Sequence, residues 1–452
     1  MCLPARHRWL ALLCASGAFY VAWNPAYLLL LLGTTTSCHF AARAISKSSN
    51  RNVRRNVLIA AISLNLGILF LFKYYGLFAS SSNALLGTNA PIELGFLLPV
   101  GISFYTFQAI GYTVDVYLGK VQAESSLGRT TLFISFFPQL VAGPIERAGR
   151  LLPALKAPIY FRWRNIRLGS WLILWGLFKK VVIADRLSLL VDHAYDAPDQ
   201  VSGLMLLAAT YAFAFQIYCD FSGYSDMAIG SAKLFGIDLM ENFRTPYFSA
   251  SLSEFWSRWH ISLSTWFRDY VYIPLGGNRG SSLRWAVNIL IVFAVSGLWH
   301  GAQWTFVIWG LIHGLVLLLE RCFSPREPTK VQGSLLAKAF RILLTFHVVV
   351  FAWVFFRAHS LEQVFEIITK MVSLADLGVI ELSSVFSRYE LAVAVVGLGW
   401  MLLLEFLTSG KMNRLVGIRP RLISRAAVAV TLLLIVNFGI FNHPNQFVYF
   451  QF

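Results

Sequence analysis

Apolar runs recur along almost the whole chain, many of them close to the roughly 20 helical residues that a bilayer core requires. They lie near residues 9–23, 26–42, 56–79, 94–118, 168–191, 203–219, 285–320, 342–357, 390–408 and 426–441. Only 13% of the 452 residues are charged, about half the share of a soluble domain, so these runs have little with which to face water. The sequence therefore predicts an all-α integral membrane fold, polytopic, with residues 1–452 forming one membrane domain. A disordered, fibrous or secreted chain is excluded. No internal repeat or low-complexity linker marks off a second, soluble domain.

Two runs are broken in a way that matters. Thr131–Ile145 ends in Pro138-Gln-Leu-Val-Ala-Gly-Pro144, and 285–320 is cut at Trp299-His300-Gly301. Non-helical backbone at membrane depth is tolerated only where protein or a water-filled cavity satisfies its polar groups. Both stretches are expected to be re-entrant or paired half-helices around a central cavity, and a site is sought there.

The formal net charge of +16 would suggest a nucleic-acid partner in a soluble protein. In a membrane protein the placement of Lys and Arg sets orientation. Segments 43–55, 119–130, 146–167, 220–284, 321–341 and 409–425 hold most of the 38 basic residues, and these are expected to be cytoplasmic. The alternate loops agree: 80–93 has no Lys or Arg, and 192–202 carries Asp192, Asp196 and Asp199. The alternation places the N-terminus in the cytoplasm and residues 442–452 outside. No nucleic-acid partner is implied; the bilayer is. Arg6 and Arg8 before an apolar run imitate a signal peptide, but the run continues through Trp23-Asn24-Pro25, which reads as a helical hairpin. The 5 cysteines are scattered and suggest neither a disulfide framework nor a metal site.

Polar residues in apolar context are the functional candidates. In Ser251–Tyr270, Ser251 and Glu254 have capping-box spacing. Phe255, Trp259, Leu263 and Trp266 then form one aromatic helical face suited to the membrane interface. His260 lies beside it, as an interfacial histidine or a functional one. His300 sits inside an apolar run, where an unpartnered polar group costs about 2–7 kcal/mol. It is either hydrogen-bonded to a neighbouring carbonyl or part of a site. His313, 13 residues on, is expected to be a satisfied packing residue. Asp220–Asp226 places two acids and several hydroxyls after a span; six residues apart, the acids do not share a helical face, and the stretch reads as a polar, glycine-hinged opening to a cavity. Pro274–Gly280 is a glycine-rich turn that matches no nucleotide fingerprint. No third ligand stands at local spacing from His260 or His300, so no metal is expected.

Taken together, Leu98–Gln108, Phe136–Ile145, Asp220–Asp226, Phe255–Arg279 and Gly297–Gly301 resemble the membrane-bound O-acyltransferase family, and within it the bacterial branch that includes the alginate O-acetylation membrane protein. The resemblance runs over most of the chain. It implies that His300 is catalytic and that His260 is a second functional histidine. Acyl transfer from a thioester to a hydroxyl needs a base titrating near working pH, which suits His. His300 is the expected general base, and His260 orients the acceptor or polarises the thioester carbonyl. The implied donor is acetyl-CoA or another cytosolic acyl thioester, with no bound cofactor. Arg258, Arg268 and Arg279 are candidates for its phosphates, or else express the orientation bias alone.

The aromatic C-terminal segment Phe447–Phe452 is similar to the tail of relatives in the same branch. That similarity implies Tyr449 as a relay nucleophile on the outer side. The expected activity is O-acetylation of an exported polysaccharide from the bacterial inner membrane, with an extracytoplasmic acetylesterase-like transferase as partner. The alternatives are D-alanyl or other acyl transfer to a cell-wall polymer, and a non-enzymatic transporter, which broken helices would suit equally.

Overall fold

A computed structural model describes residues 7–89, 91, 94–95, 97–158, 160–323, 334–373, 378–380, 382–408, 421–441 and 447–448. The described residues are helical and contain no strand. Seven helices among them are long and apolar enough to cross a membrane: Pro25–Lys47, Arg51–Leu86, Gly203–Leu234, Ser282–His300, Trp304–Phe323, Leu335–Arg357 and Arg388–Thr408. Two shorter apolar helices, Arg8–Trp23 and Ser424–Phe438, add to these. The chain divides into two compact units, Met1–Ser170 with Ala228–Met240, and Trp171–Met227 with Glu241–Phe452.

In the first unit the expected hairpin is present. Arg8–Trp23 stops at Asn24, whose side chain accepts from the Ala26 N–H at 3.0 Å, and Pro25 opens the next helix. A proline there loses nothing, because its missing N–H would have no intrahelical partner. The break near Pro138 is also present: Leu127–Ser135 and Phe137–Leu140 are separate short helices. Side chains of the same unit serve the opened backbone. The Phe137 N–H donates to Ser16 Oγ at 3.1 Å. The Phe133 carbonyl accepts from Gln108 at 2.6 Å and Gln139 at 2.9 Å. The resemblance-bearing segments around Gln108 and Gln139 thus meet to satisfy an opened helix, as the cost of burying unpaired backbone demands. The expected run 94–118 is helical only from Ile102 to Tyr117.

In the second unit the 285–320 stretch departs from expectation. It is a hairpin of two full-length helices, Ser282–His300 and Trp304–Phe323, not a pair of half-helices. Gly297 and Gly310 make it possible: a Cβ at either would run into a backbone carbonyl of the opposite helix, of Phe306 and Phe293 respectively. Small residues let helix backbones approach this closely. Residues 220–226 are likewise not a loop after a span; they continue the Gly203–Leu234 helix.

Candidate functional site

The aromatic segment does not form one helix. Ser251 caps its start as the spacing predicts, its Oγ accepting from the Glu254 N–H at 3.0 Å. The Glu254 carboxylate reaches back to the Ala250 N–H at 2.7 Å. Helix Leu252–Trp256 then ends, and Ile261–Phe267 begins after a turn in which His260 takes φ 43°, ψ 52°. A non-glycine residue in this left-handed region is strained and must be held there by its surroundings. Its face is also not interfacial: Phe255, Trp259, Leu263 and Trp266 are all buried in protein.

Asn242 provides much of that hold. Its backbone carbonyl accepts from the Ile261 N–H at 2.9 Å. Its side-chain Oδ1 accepts from the Ser262 N–H at 3.2 Å and the Ser262 hydroxyl at 2.9 Å, and lies 3.1 Å from His260 Nδ1. Its Nδ2 donates to Ser225 Oγ at 3.1 Å. A backbone N–H can only donate, so the atom facing Ser262 is the amide oxygen, and the His260 proton must sit on Nδ1. Nε2 is then the acceptor of the ring. His260 is fully buried, and burial pushes its pKa down to about 3, so the imidazole is neutral at physiological pH. A neutral ring with the proton on Nδ1 accepts a hydrogen bond through Nε2. Of its two candidate roles, this fits orienting an acceptor hydroxyl and does not fit donating to a carbonyl.

His300 ends its helix and is 3% exposed. Its ring centroid is 6.2 Å from that of His260, 5.0 Å from Trp299, 5.1 Å from Trp309 and 5.5 Å from Phe356. The two histidines, 40 residues apart in sequence, therefore meet within one aromatic enclosure. His313 lies on the far side of Trp309, at 5.0 Å from it and 5.1 Å from Trp256. It was expected to be hydrogen-bonded, yet neither of its ring nitrogens has a hydrogen-bond partner among the described residues. The indole N–H groups of Trp256, Trp259 and Trp309 have none there either.

Next to this enclosure runs an ionic layer that sequence reasoning missed. Lys179 binds Ser222 at 2.8 Å and Asp226 at 2.6 Å. Lys180 lies 2.8 Å from both Asp185 and Asp220. Tyr218 donates to Glu405 at 2.6 Å. Each acid of the Asp220–Asp226 stretch is thus paired with a lysine. The missed signal was in plain view: Lys179-Lys180 interrupts an apolar run, where an ionisable residue calls for a named partner.

The three arginines proposed for donor phosphates have different surroundings. Arg258 pairs with Glu254, and Arg268 with Asp269 at 2.9 Å; Arg279 is exposed on the glycine-rich turn. That turn's carbonyls are taken by Asn288, which donates to Leu275 at 3.3 Å and Gly277 at 3.0 Å. Among the described residues no three His, Cys, Asp or Glu side chains gather as a metal site. Tyr449 lies outside the described residues; its neighbours Phe447 and Val448 are described and buried.

Comparison with known proteins shows the family. The profile of the MBOAT, membrane-bound O-acyltransferase family matches residues 124–362, a range that includes both His260 and His300. A peptidoglycan O-acetyltransferase of Helicobacter pylori is 38% identical over 407 residues, covering 84% of this chain and 76% of the relative. A protein named probable alginate O-acetylase of Pseudomonas aeruginosa is 39% identical over 382 residues, covering 84% and 72%. A teichoic acid D-alanyltransferase of Bacillus subtilis is 29% identical over 272 residues, covering 57% and 68%.

Proposed function

We propose that this chain, which belongs to the membrane-bound O-acyltransferase family and is a multi-pass membrane O-acetyltransferase, acetylates hydroxyls of an exported polysaccharide, alginate-like or another exopolysaccharide. The observation that carries the chemistry is the meeting of His300 and His260, ring centroids 6.2 Å apart, inside a wall of tryptophans. In the proposed step His300 takes the proton of the attacking hydroxyl as its oxygen bonds to the thioester carbonyl carbon. The carbon–sulfur bond breaks, and the proton passes to the departing sulfur. His260, kept neutral by its burial and fixed in tautomer by Asn242, orients the hydroxyl through Nε2. General-base assistance of this kind contributes on the order of 10²–10⁴ in rate.

The donor in this reading is acetyl-CoA or another acyl thioester arriving from the cytosolic, basic face, with Arg258, Arg268 and Arg279 as surface charges that attract its phosphates. The N-terminus is cytoplasmic and the C-terminal segment works toward the outer side of a bacterial inner membrane. There the attacking hydroxyl is that of Tyr449: a hydroxyl of an acetylesterase-like partner then attacks the resulting acetyl ester, the bond to the Tyr449 oxygen breaks, the phenol regains a proton, and the partner passes the acetyl group to the polysaccharide. A second reading, acetylation of peptidoglycan, is favoured by the similarity to the Helicobacter pylori protein. Mass spectrometry of O-acetyl groups on both polymers, from cells with and without this chain, separates the two. Loss on extracellular polysaccharide with unchanged muropeptides is expected; the reverse pattern replaces the first acceptor with the second.

A further inference from the structure

The acyl-transfer step gives no role to the polar stretch Asp220–Asp226, yet both carboxylate oxygens of its first residue are engaged. Asp220 is 1% exposed. One carboxylate oxygen, Oδ1, lies 2.8 Å from Lys180 Nζ, which also lies 2.8 Å from Asp185. The other, Oδ2, accepts from the backbone N–H of Val448 at 2.7 Å. Four residues on, the Tyr224 ring stands 5.2 Å from Phe447, and Phe221 stands 6.1 Å from it. Phe221 in turn meets the His260 ring edge-on at 4.7 Å. Upstream of the tail, the Ile440 N–H donates to the Val181 carbonyl at 2.9 Å, and Arg186 donates to the Phe438 carbonyl at 3.1 Å.

We propose that Asp220, with Lys180 and Asp185 behind it and Phe221 and Tyr224 beside it, is the docking site for the aromatic C-terminal segment, and that Asp220 is the positioning residue that fixes the segment's register next to the histidine pair.

Two features separate this from ordinary packing. A buried carboxylate–lysine–carboxylate group is costly, and well-packed apolar residues of similar volume are often as stable. Such groups are best attested where they set a register. Second, the contact divides recognition sensibly. The carboxylate binds a main-chain N–H, which fixes position along the segment whatever the side chain. The ring pair selects an aromatic at 447. A charge-assisted hydrogen bond of this type is about twice as strong as a neutral one, and it is made within one residue of the Phe221–His260 contact. Phe447 and Val448 are thereby part of the site's surroundings. The docking stands independently of any relay; that it delivers Tyr449 to the acyl group rests on the function proposed above.

The test is a labelling rate. Val448→Cys is placed in the full-length protein with its 5 native cysteines replaced, and a small water-soluble maleimide is applied to membranes. Slow labelling is expected, rising at least tenfold in Asp220→Ala and by less in Asp220→Asn, which retains an acceptor oxygen but loses the ion pair. Phe447→Ala, which leaves the buried ions untouched, should also raise the rate, and serves if Asp220→Ala does not fold. Acetyl transfer should fall in kcat with little change in donor KM. Fast labelling of the parent, or rates unchanged in Asp220→Asn and Phe447→Ala, overturns the docking site. Normal acetylation by Tyr449→Phe, with Val448→Cys still protected, ends the relay and leaves the docking site standing.

Discussion

His260 and His313 are the same side chain at the same burial, both 0% exposed and both among aromatic rings, yet they are held differently. His260 is tied by Asn242, whose oxygen also takes two bonds from Ser262. His313 is held by Trp256, Trp309 and Phe255 through ring packing alone among the described residues. Ring packing fixes where an imidazole sits. A hydrogen bond also fixes which nitrogen carries the proton, and acid–base or hydroxyl-orienting work depends on that. The difference supports the chemical role proposed for His260 and a structural role for His313.

The largest effect expected from breaking this contrast is at Asn242. Asn242→Ala leaves the His260 Nδ1–H, the Ser262 N–H and the Ser262 hydroxyl without their shared acceptor, at about 1–3 kcal/mol for each unsatisfied buried group. Acetylation by membranes should fall 10- to 100-fold. Activity within twofold of the parent would mean that the tether is unnecessary.

A smaller effect is expected in the pH dependence of stability. With its folded pKa near 3 against an ordinary 6.5, His260 binds a proton in the unfolded chain but not in the folded one between those values. Stability therefore falls as pH drops below 6.5. His260→Gln should flatten the decline in melting temperature between pH 7 and pH 5 relative to the parent. An identical decline would show that His260 does not contribute to it.

The smallest effect is expected at His313. His313→Phe keeps the ring and removes two unpartnered nitrogens, a change that is often neutral or stabilising. Activity within threefold and an equal or higher melting temperature are expected. Loss of activity with the fold intact would move His313 into the chemistry and end the contrast.

Much of the scaffold was legible because hydrocarbon-length runs and proline or glycine breaks carry periodic or local signals. The Asn24-Pro25 hairpin and the opening at Pro138 came from such signals. The turn at His260 did not. Phe255, Trp259, Leu263 and Trp266 keep helical spacing across it, so nothing in the pattern reports the left-handed residue between them. Asn242 was invisible for a related reason: a hydrogen bond across 18 residues leaves no periodicity. The end of the span at 219 was misplaced because Asp220 and Asp226 looked too polar for a helix interior. Their lysines, Lys180 and Lys179, come from a different helical run. His300 was found from its apolar context and resemblance, but the geometry that pairs it with His260 is tertiary.

The central claim is that acyl transfer runs through His300. Its most direct test is the O-acetyl content of surface polysaccharide in cells whose own copy is replaced by His300→Ala, compared with the parent at equal abundance in the membrane. A loss of at least 100-fold is predicted, in line with the removal of a general base. O-acetylation at the parental level, with the variant protein folded and present, would contradict it.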